Sequence, residues 1–190
     1  MTLPRVYLHA AGMLNALGHD LDQIARALAA GHAPGMGRVL TGNGETAFVG
    51  RVSAPLDIAP PPELARYDCR NNRLLLRALA QIGAEIEDAR ERHGPARIGV
   101  VLGTSTSGIE SAEAALLHRS RSGSLPPQFN YRQMEIGTVA QFAARALGLR
   151  GPAFTVSTAC TSSAKAVASA QRLLQAGLCD AVIAGGVDTL

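Results

Sequence analysis

The sequence predicts an α/β fold, a mostly parallel sheet covered by helices. Three observations lead there. Apolar runs of strand length, residues 98–102 and 181–184, are separated by segments of helical periodicity. Those two runs are apolar throughout rather than alternating, as suits strands buried on both faces. Glycine and proline punctuate the boundaries, so strands and helices alternate along the chain. With 190 residues there is room for a sizeable core, and 47% hydrophobic content with modest charge excludes a disordered chain.

The elements follow in order. Residues 5–10 read as a first strand. Asp20 can cap a helix reaching Ala30, with Leu21, Ile24, Ala25 and Leu28 at helical spacing and Gly31 as its stop. Residues 31–45 hold five glycines and one proline and read as a loop. Residues 46–52 form a short strand, and Pro55 and the run 60–62 an irregular connection. One long helix is predicted over 71–92, with Leu75, Leu79, Ile82 and Ile86 on one face. His93, Gly94 and Pro95 end it. A buried strand over 97–102 enters the turn Gly103-Thr104-Ser105-Thr106-Ser107-Gly108. That turn lacks the lysine and glycine order of a phosphate loop. Helices over 110–119 and 133–147 come next, the second stopped by Gly148. No internal repeat interrupts the pattern, and no linker is long enough to separate a second domain.

Several function classes are excluded. A net charge of +3 is too mild for nucleic-acid binding, and no aromatic–basic interleaving accompanies it. Cys69, Cys160 and Cys179 match neither a metal site nor a disulfide framework, which points to a reducing cytoplasm. No metal is expected. The run from Val6 to Leu17 is broken by His9 and Asn15 and makes no signal peptide. No run approaches the ~20 apolar residues of a membrane span. The histidines, His9, His19, His32, His93 and His118, form no ligand-spaced pair.

The last forty residues carry the chemistry. A β-rich run over 153–156 leads through Ser157-Thr158-Ala159 to Cys160, and a helix then runs to about Ala176 with Gly177 as its stop. A second strand over 181–184 ends at Gly185-Gly186. A thiol at a helix start faces backbone N–H groups without internal partners and the positive end of the dipole. Both favour a thiolate, and the same N–H groups can hold an oxyanion. The competing reading is a buried structural cysteine.

V-S-T-A-C-T-S-S-A-K-A followed by G-L-C-D-A-V-I-A-G-G-V-D resembles the active-site segment of β-ketoacyl-acyl-carrier-protein synthases, the condensing enzymes of the thiolase superfamily. The opening A-A-G-M-L-N-A-L-G resembles their first turn. The resemblance implies a thiolase-like fold, of which these residues, 1–190, form the N-terminal half. It implies Cys160 as the acyl-accepting nucleophile. Thr106, where the family often carries an apolar gating residue, and Met134 fall at substrate-binding positions. No bound cofactor is implied, because phosphopantetheine arrives on the acyl carrier protein. The family's catalytic histidines belong to a C-terminal half, expected on a separate polypeptide or on the rest of a longer chain. Without it, the 190-residue chain is expected to be inactive in condensation and poorly soluble.

Arg66, Arg70, Arg73 and Arg77 are spaced four, three and four apart, a basic stripe if the helix extends back that far. Arg119 and Arg121 form a second cluster. These are either solvated faces or, as the resemblance implies for Arg66, Arg70, Arg119 and Arg121, a dock for an acidic carrier protein. The family's strand before the cysteine pairs across a dimer, so Ala153 to Ser157 is expected to pair in a homodimer or heterodimer. The alternatives are a non-catalytic dimerisation or assembly half, and a coenzyme-A-dependent acyltransferase of the same superfamily.

Overall fold

The computed structural model describes residues 4–189. Helix α1, Leu21–Ala29, starts where expected: the Asp20 carboxylate accepts the Gln23 N–H at 2.8 Å. Strand β1, Met36–Leu40, and strand β2, Thr46–Gly50, form an antiparallel hairpin. The expectation of a loop throughout 31–45 therefore fails at β1. M-G-R-V-L alternates exposed and half-buried positions against its partner, and the glycines that make the turn are Gly42 and Gly44, the latter at φ +84°. The strand expected over 5–10 is not formed. A strand needs a neighbour for its hydrogen bonds, and none pairs with this segment among the described residues. Its Leu8 is 92% exposed.

The single helix expected over 71–92 is two: α2, Arg70–Ala80, and α3, Gly83–His93. The break falls where glycine, a poor helix former, follows Ile82 at φ −119°, ψ 24°. Gln81 and Ile82 donate to Ala78 O and Leu79 O, tightened bonds that close the last turn of α2. The Gln81 side chain then faces the N-terminal segment. Its Oε1 accepts from Met13 N–H at 3.0 Å, and its Nε2 donates to Met13 O at 3.0 Å and His19 O at 2.9 Å. The apolar face survives the break: Leu75, Leu79 and Ile86 are buried, with Ile82 packed beside them.

Strand β3, Ile98–Gly103, is fully buried. Helix α4, Ile109–Ser122, ends at Gly123 in the left-handed region. The helix expected over 133–147 shortens to α5, Thr138–Ala146, because residues 131–133 form a separate 3-10 turn capped by Asn130 and Gln133. Strand β4, Ala153–Val156, helix α6, Ser162–Gln175, and strand β5, Ala181–Gly186, complete the chain.

The three later strands form a parallel sheet in the order β4–β3–β5, with Val100 opposite both Ala153 and Ile183. Ile98, Val100 and Leu102 point to a core shared with α2, α3 and α5, where Phe142 is wholly buried and meets Tyr67 at 5.9 Å between ring centroids. Gly99 and Gly103, on the opposite pleat, face Cys179 and the start of α6. Helices on both faces make this the expected α/β arrangement. Only β3 is buried on both faces, however. β5 is half exposed, since its outer edge has no partner strand among the described residues.

Candidate active site

Cys160 sits in a turn between β4 and α6, two residues before the helix, and its residue is exposed. Cys69 and Cys179 are instead buried, and desolvation pushes both thiols up. The turn is held by hydroxyls rather than by packing. Ser162 Oγ accepts the Thr158 N–H at 2.9 Å and donates to Ala159 O at 2.6 Å. Thr161 Oγ1 donates to Thr158 O at 2.8 Å. Ala159 adopts φ +54°, a left-handed conformation that a residue with a Cβ enters at some cost. Thr158, Thr161, Ser162 and the strained Ala159 bracket the thiol.

Two glycines let the start of α6 come down onto the sheet. A Cβ at Gly103 would lie 2.5 Å from Ser162 C and 2.6 Å from Ser163 N. A Cβ at Gly186 would run into Ser163 Oγ. So the glycines closing β3 and β5 are what allow the first turn of α6 to seat at the sheet's C-terminal edge, where the Ser162 N–H donates to Ala159 O at 3.0 Å.

Past Gly103 the chain enters the turn that carries Thr106. Asp188, directly beyond β5, grips it. One carboxylate oxygen, Oδ1, accepts from Thr104 Oγ1 at 2.8 Å, Ser105 N–H at 2.7 Å, Thr106 N–H at 3.1 Å and Thr106 Oγ1 at 3.0 Å. Partial burial pushes this carboxyl up, but the donors at Ser105, Thr104 and Thr106 outweigh it and hold it below the usual range. Thr104 Oγ1 in turn accepts the Ser107 N–H at 2.9 Å, and Ser107 adopts φ +49°.

The same turn meets Met134's segment. Gly108 N–H donates to Gln133 O at 3.1 Å, and Gln133 Nε2 reaches Asp68 O at 2.8 Å. The turns bearing Thr106 and Met134 and the approach to α2 are thus joined. Thr106 is half-buried and Met134 is 38% exposed.

The arginines do not form one stripe. Arg66 lies in a 3-10 turn, Pro62–Tyr67, stacked over the Tyr67 ring at 5.3 Å, whereas α2 begins only at Arg70. Arg73 is tied to Asp68 by two bonds of 2.6 Å. Arg66 is exposed, Arg70 half-buried, and Arg119 and Arg121 are exposed in the last turn of α4. The chain's histidines serve elsewhere where contacts are visible: His19 bonds Ser53 Oγ, His118 bonds Ser124 O, and His93 faces Asp180 at 4.0 Å. Sequence reasoning passed over Ser162 and Asp188. Both stood in the quoted motifs, but a hydroxyl among small residues and an acid after Gly-Gly carry no sign of what they hold.

Comparison with known proteins gives four findings. Residues 60–190 match the family described as the N-terminal domain of β-ketoacyl synthase. The 3-oxoacyl-[acyl-carrier-protein] synthase 2 of Vibrio cholerae is 28% identical, over 99% of this chain and 46% of the relative. A chain of the solved complex between the ketosynthase ApeO and its chain length factor ApeC, from Xenorhabdus doucetiae, superposes with TM-score 0.90 at 46% identity, over 97% of this chain and 47% of that one. A β-ketoacyl synthase structure from Burkholderia phymatum shares the fold at TM-score 0.69 and 24% identity, over 89% of this chain and 43% of that one. The chain spans about half the length of the relatives it matches.

Proposed function

The chain belongs to the β-ketoacyl synthase family, and from that premise we propose that it supplies the nucleophile-bearing part of a 3-oxoacyl-acyl-carrier-protein synthase. The observation that carries this reading is the exposed Cys160 on a hydroxyl-braced turn at the start of α6. The Cys160 thiolate attacks the thioester carbonyl of an acyl carrier protein. The oxyanion of the tetrahedral intermediate accepts hydrogen bonds from backbone N–H groups at this turn. The phosphopantetheine thiolate leaves, and the acyl group stays on Cys160 as a new thioester. A malonyl carrier protein then loses carbon dioxide, and its carbanion attacks the acyl-cysteine, returning the Cys160 thiolate. On this reading the groups that promote decarboxylation belong to the part of the relatives' length that these residues do not span.

Thr106 and Met134 line the acyl pocket, a role supported by the joining of their two turns beside β3. Arg66, Arg70, Arg119 and Arg121 receive the acidic carrier, supported by the exposure of Arg66, Arg119 and Arg121. The free edge of β4 pairs with a second subunit. That the ketosynthase ApeO was solved in complex with a chain length factor supports a heterodimer over a homodimer. The three unpaired cysteines suit the cytoplasm.

The test is a mass measurement. A carrier protein bearing an acyl thioester on its phosphopantetheine, or cerulenin, is incubated with the complete synthase and with its Cys160→Ser variant, and the adduct is located by peptide mapping. The reading expects an acyl or cerulenin adduct on Cys160 and none in the variant. An unmodified Cys160 in the complete synthase sinks it and leaves the assembly role standing.

A further inference from the structure

We propose that Asp188 is a positioning residue: its carboxylate fixes the 104–107 turn and so sets which acyl chains the synthase accepts. The inference deepens the reading of Cys160 and Thr106 above and rests on it. Four donors converge on the single oxygen Oδ1, two of them main-chain N–H groups and two of them hydroxyls. That is a charge-assisted cluster, and such bonds are stronger than neutral ones. The two segments it joins are more than eighty positions apart in the chain. A second layer of bonds closes the same joint. Thr189 N–H donates to Thr106 Oγ1 at 3.2 Å, and Val187 N–H donates to Gly103 O at 3.0 Å.

The turn's other anchors lie at its two ends: Thr104 N–H donates to Val156 O at 3.2 Å, Gly108 N–H to Gln133 O at 3.1 Å and Ser107 Oγ to Gln133 O at 3.5 Å. Ser107 is in the left-handed region, and its N–H bond to Thr104 Oγ1 depends on the rotamer that Asp188 selects by accepting the Thr104 hydroxyl proton. Thr106 spends its own hydroxyl proton on Asp188 and receives Thr189 N–H on the same oxygen. Its methyl group is thereby left to face the remaining direction, and its rotamer is fixed. A neutral or missing side chain at 188 frees the rotamers of Thr104 and Thr106 together. Asp188 touches no reacting atom; it acts through the wall that Thr106 presents.

The experiment has two arms, run on the complete synthase. In the first, amide exchange is followed at Ser105 and Thr106 in wild type, Asp188→Ala and Asp188→Asn. The proposal expects exchange to rise at these two amides in Asp188→Ala, less in Asp188→Asn, with residues 98–102 unchanged. In the second, acylation of Cys160 is compared across acyl carrier proteins of increasing chain length, beside alkylation by iodoacetamide, which needs no acyl pocket. Loss of the wall's position is expected to slow acylation by the preferred chain about 10²-fold and to flatten the preference, with alkylation unchanged. Wild-type exchange at 105 and 106, or an unaltered chain-length preference, overturns the proposal. So does a fall in alkylation equal to that in acylation, which marks general collapse. If Asp188→Ala unfolds, seen as exchange throughout 98–102, unchanged exchange in Asp188→Asn overturns it. Absence of acylation in the wild type strikes the reading of Cys160, while the exchange arm still decides on the clasp.

Discussion

At the scale of single residues, charge decides two outcomes. The Asp188 carboxyl is held below its ordinary value, so folding favours its ionised form. A carboxyl lowered on folding adds stability that is fully present above the unfolded value, about 3.9, and that is lost as pH falls through the folded value. The melting temperature of Asp188→Asn should therefore lie below wild type at neutral pH, with the gap closing as the solution is taken below about pH 4. A gap independent of pH would assign the effect to geometry instead of charge. Arg66 and Arg70 give the second outcome. Replacing both by glutamate is expected to raise KM for the acyl carrier protein while leaving alkylation of Cys160 alone. The penalty should shrink from low to high ionic strength, because exposed charges are screened beyond about 10 Å at 0.1 M salt. Steady-state kinetics in a salt series measure it.

At the scale of elements, the contact of α6 with the ends of β3 and β5 seats the helix that follows the Cys160 turn. Gly103→Ala puts a methyl against the Ser162 and Ser163 backbone, where flexible side chains cannot yield. The expected cost is about 1–3 kcal/mol, read as a lower urea midpoint. Cys160 acylation should also fall by more than the lost folded fraction, since α6 is lifted. Several elements at this level were legible in the sequence: β3, β4 and β5 came from strand-like runs, and α6 from a helical run stopped by Gly177. Their failures share a cause. The break at Gln81 lies within an unbroken apolar period, because Leu75, Leu79, Ile82 and Ile86 continue to face one core across it. β1 was hidden by glycines whose roles differ, two in the turn and one in the strand. The segment 5–10 has strand composition but no neighbour among the described residues, and pairing is not a local property. The placement of Cys160 between β4 and α6 was legible because the whole turn is contiguous. The clasp by Asp188 was not, because its partners lie more than eighty positions away.

At the scale of the molecule, the described surface carries apolar groups in excess of what solvent favours. Phe154 on the free edge of β4 is 39% exposed, and Leu116 and Leu117 on α4 are 60% and 52% exposed. An unpaired edge with an apolar side chain is a template for another strand. Phe154→Lys is expected to shift the chain toward smaller species in light scattering, with its circular dichroism kept. An unchanged mass distribution would move the association surface elsewhere. The Gln81 clasp has a consequence in time. Met13 leaves the ribosome sixty-eight positions ahead of the side chain that pins it, an interval of roughly 3–14 s at usual synthesis rates. During that interval the leading segment has no anchor of this kind, and its apolar residues are open to whatever waits at the exit. Docking of the Met13–His19 segment is thus a late step, set by the arrival of one amide at the end of α2.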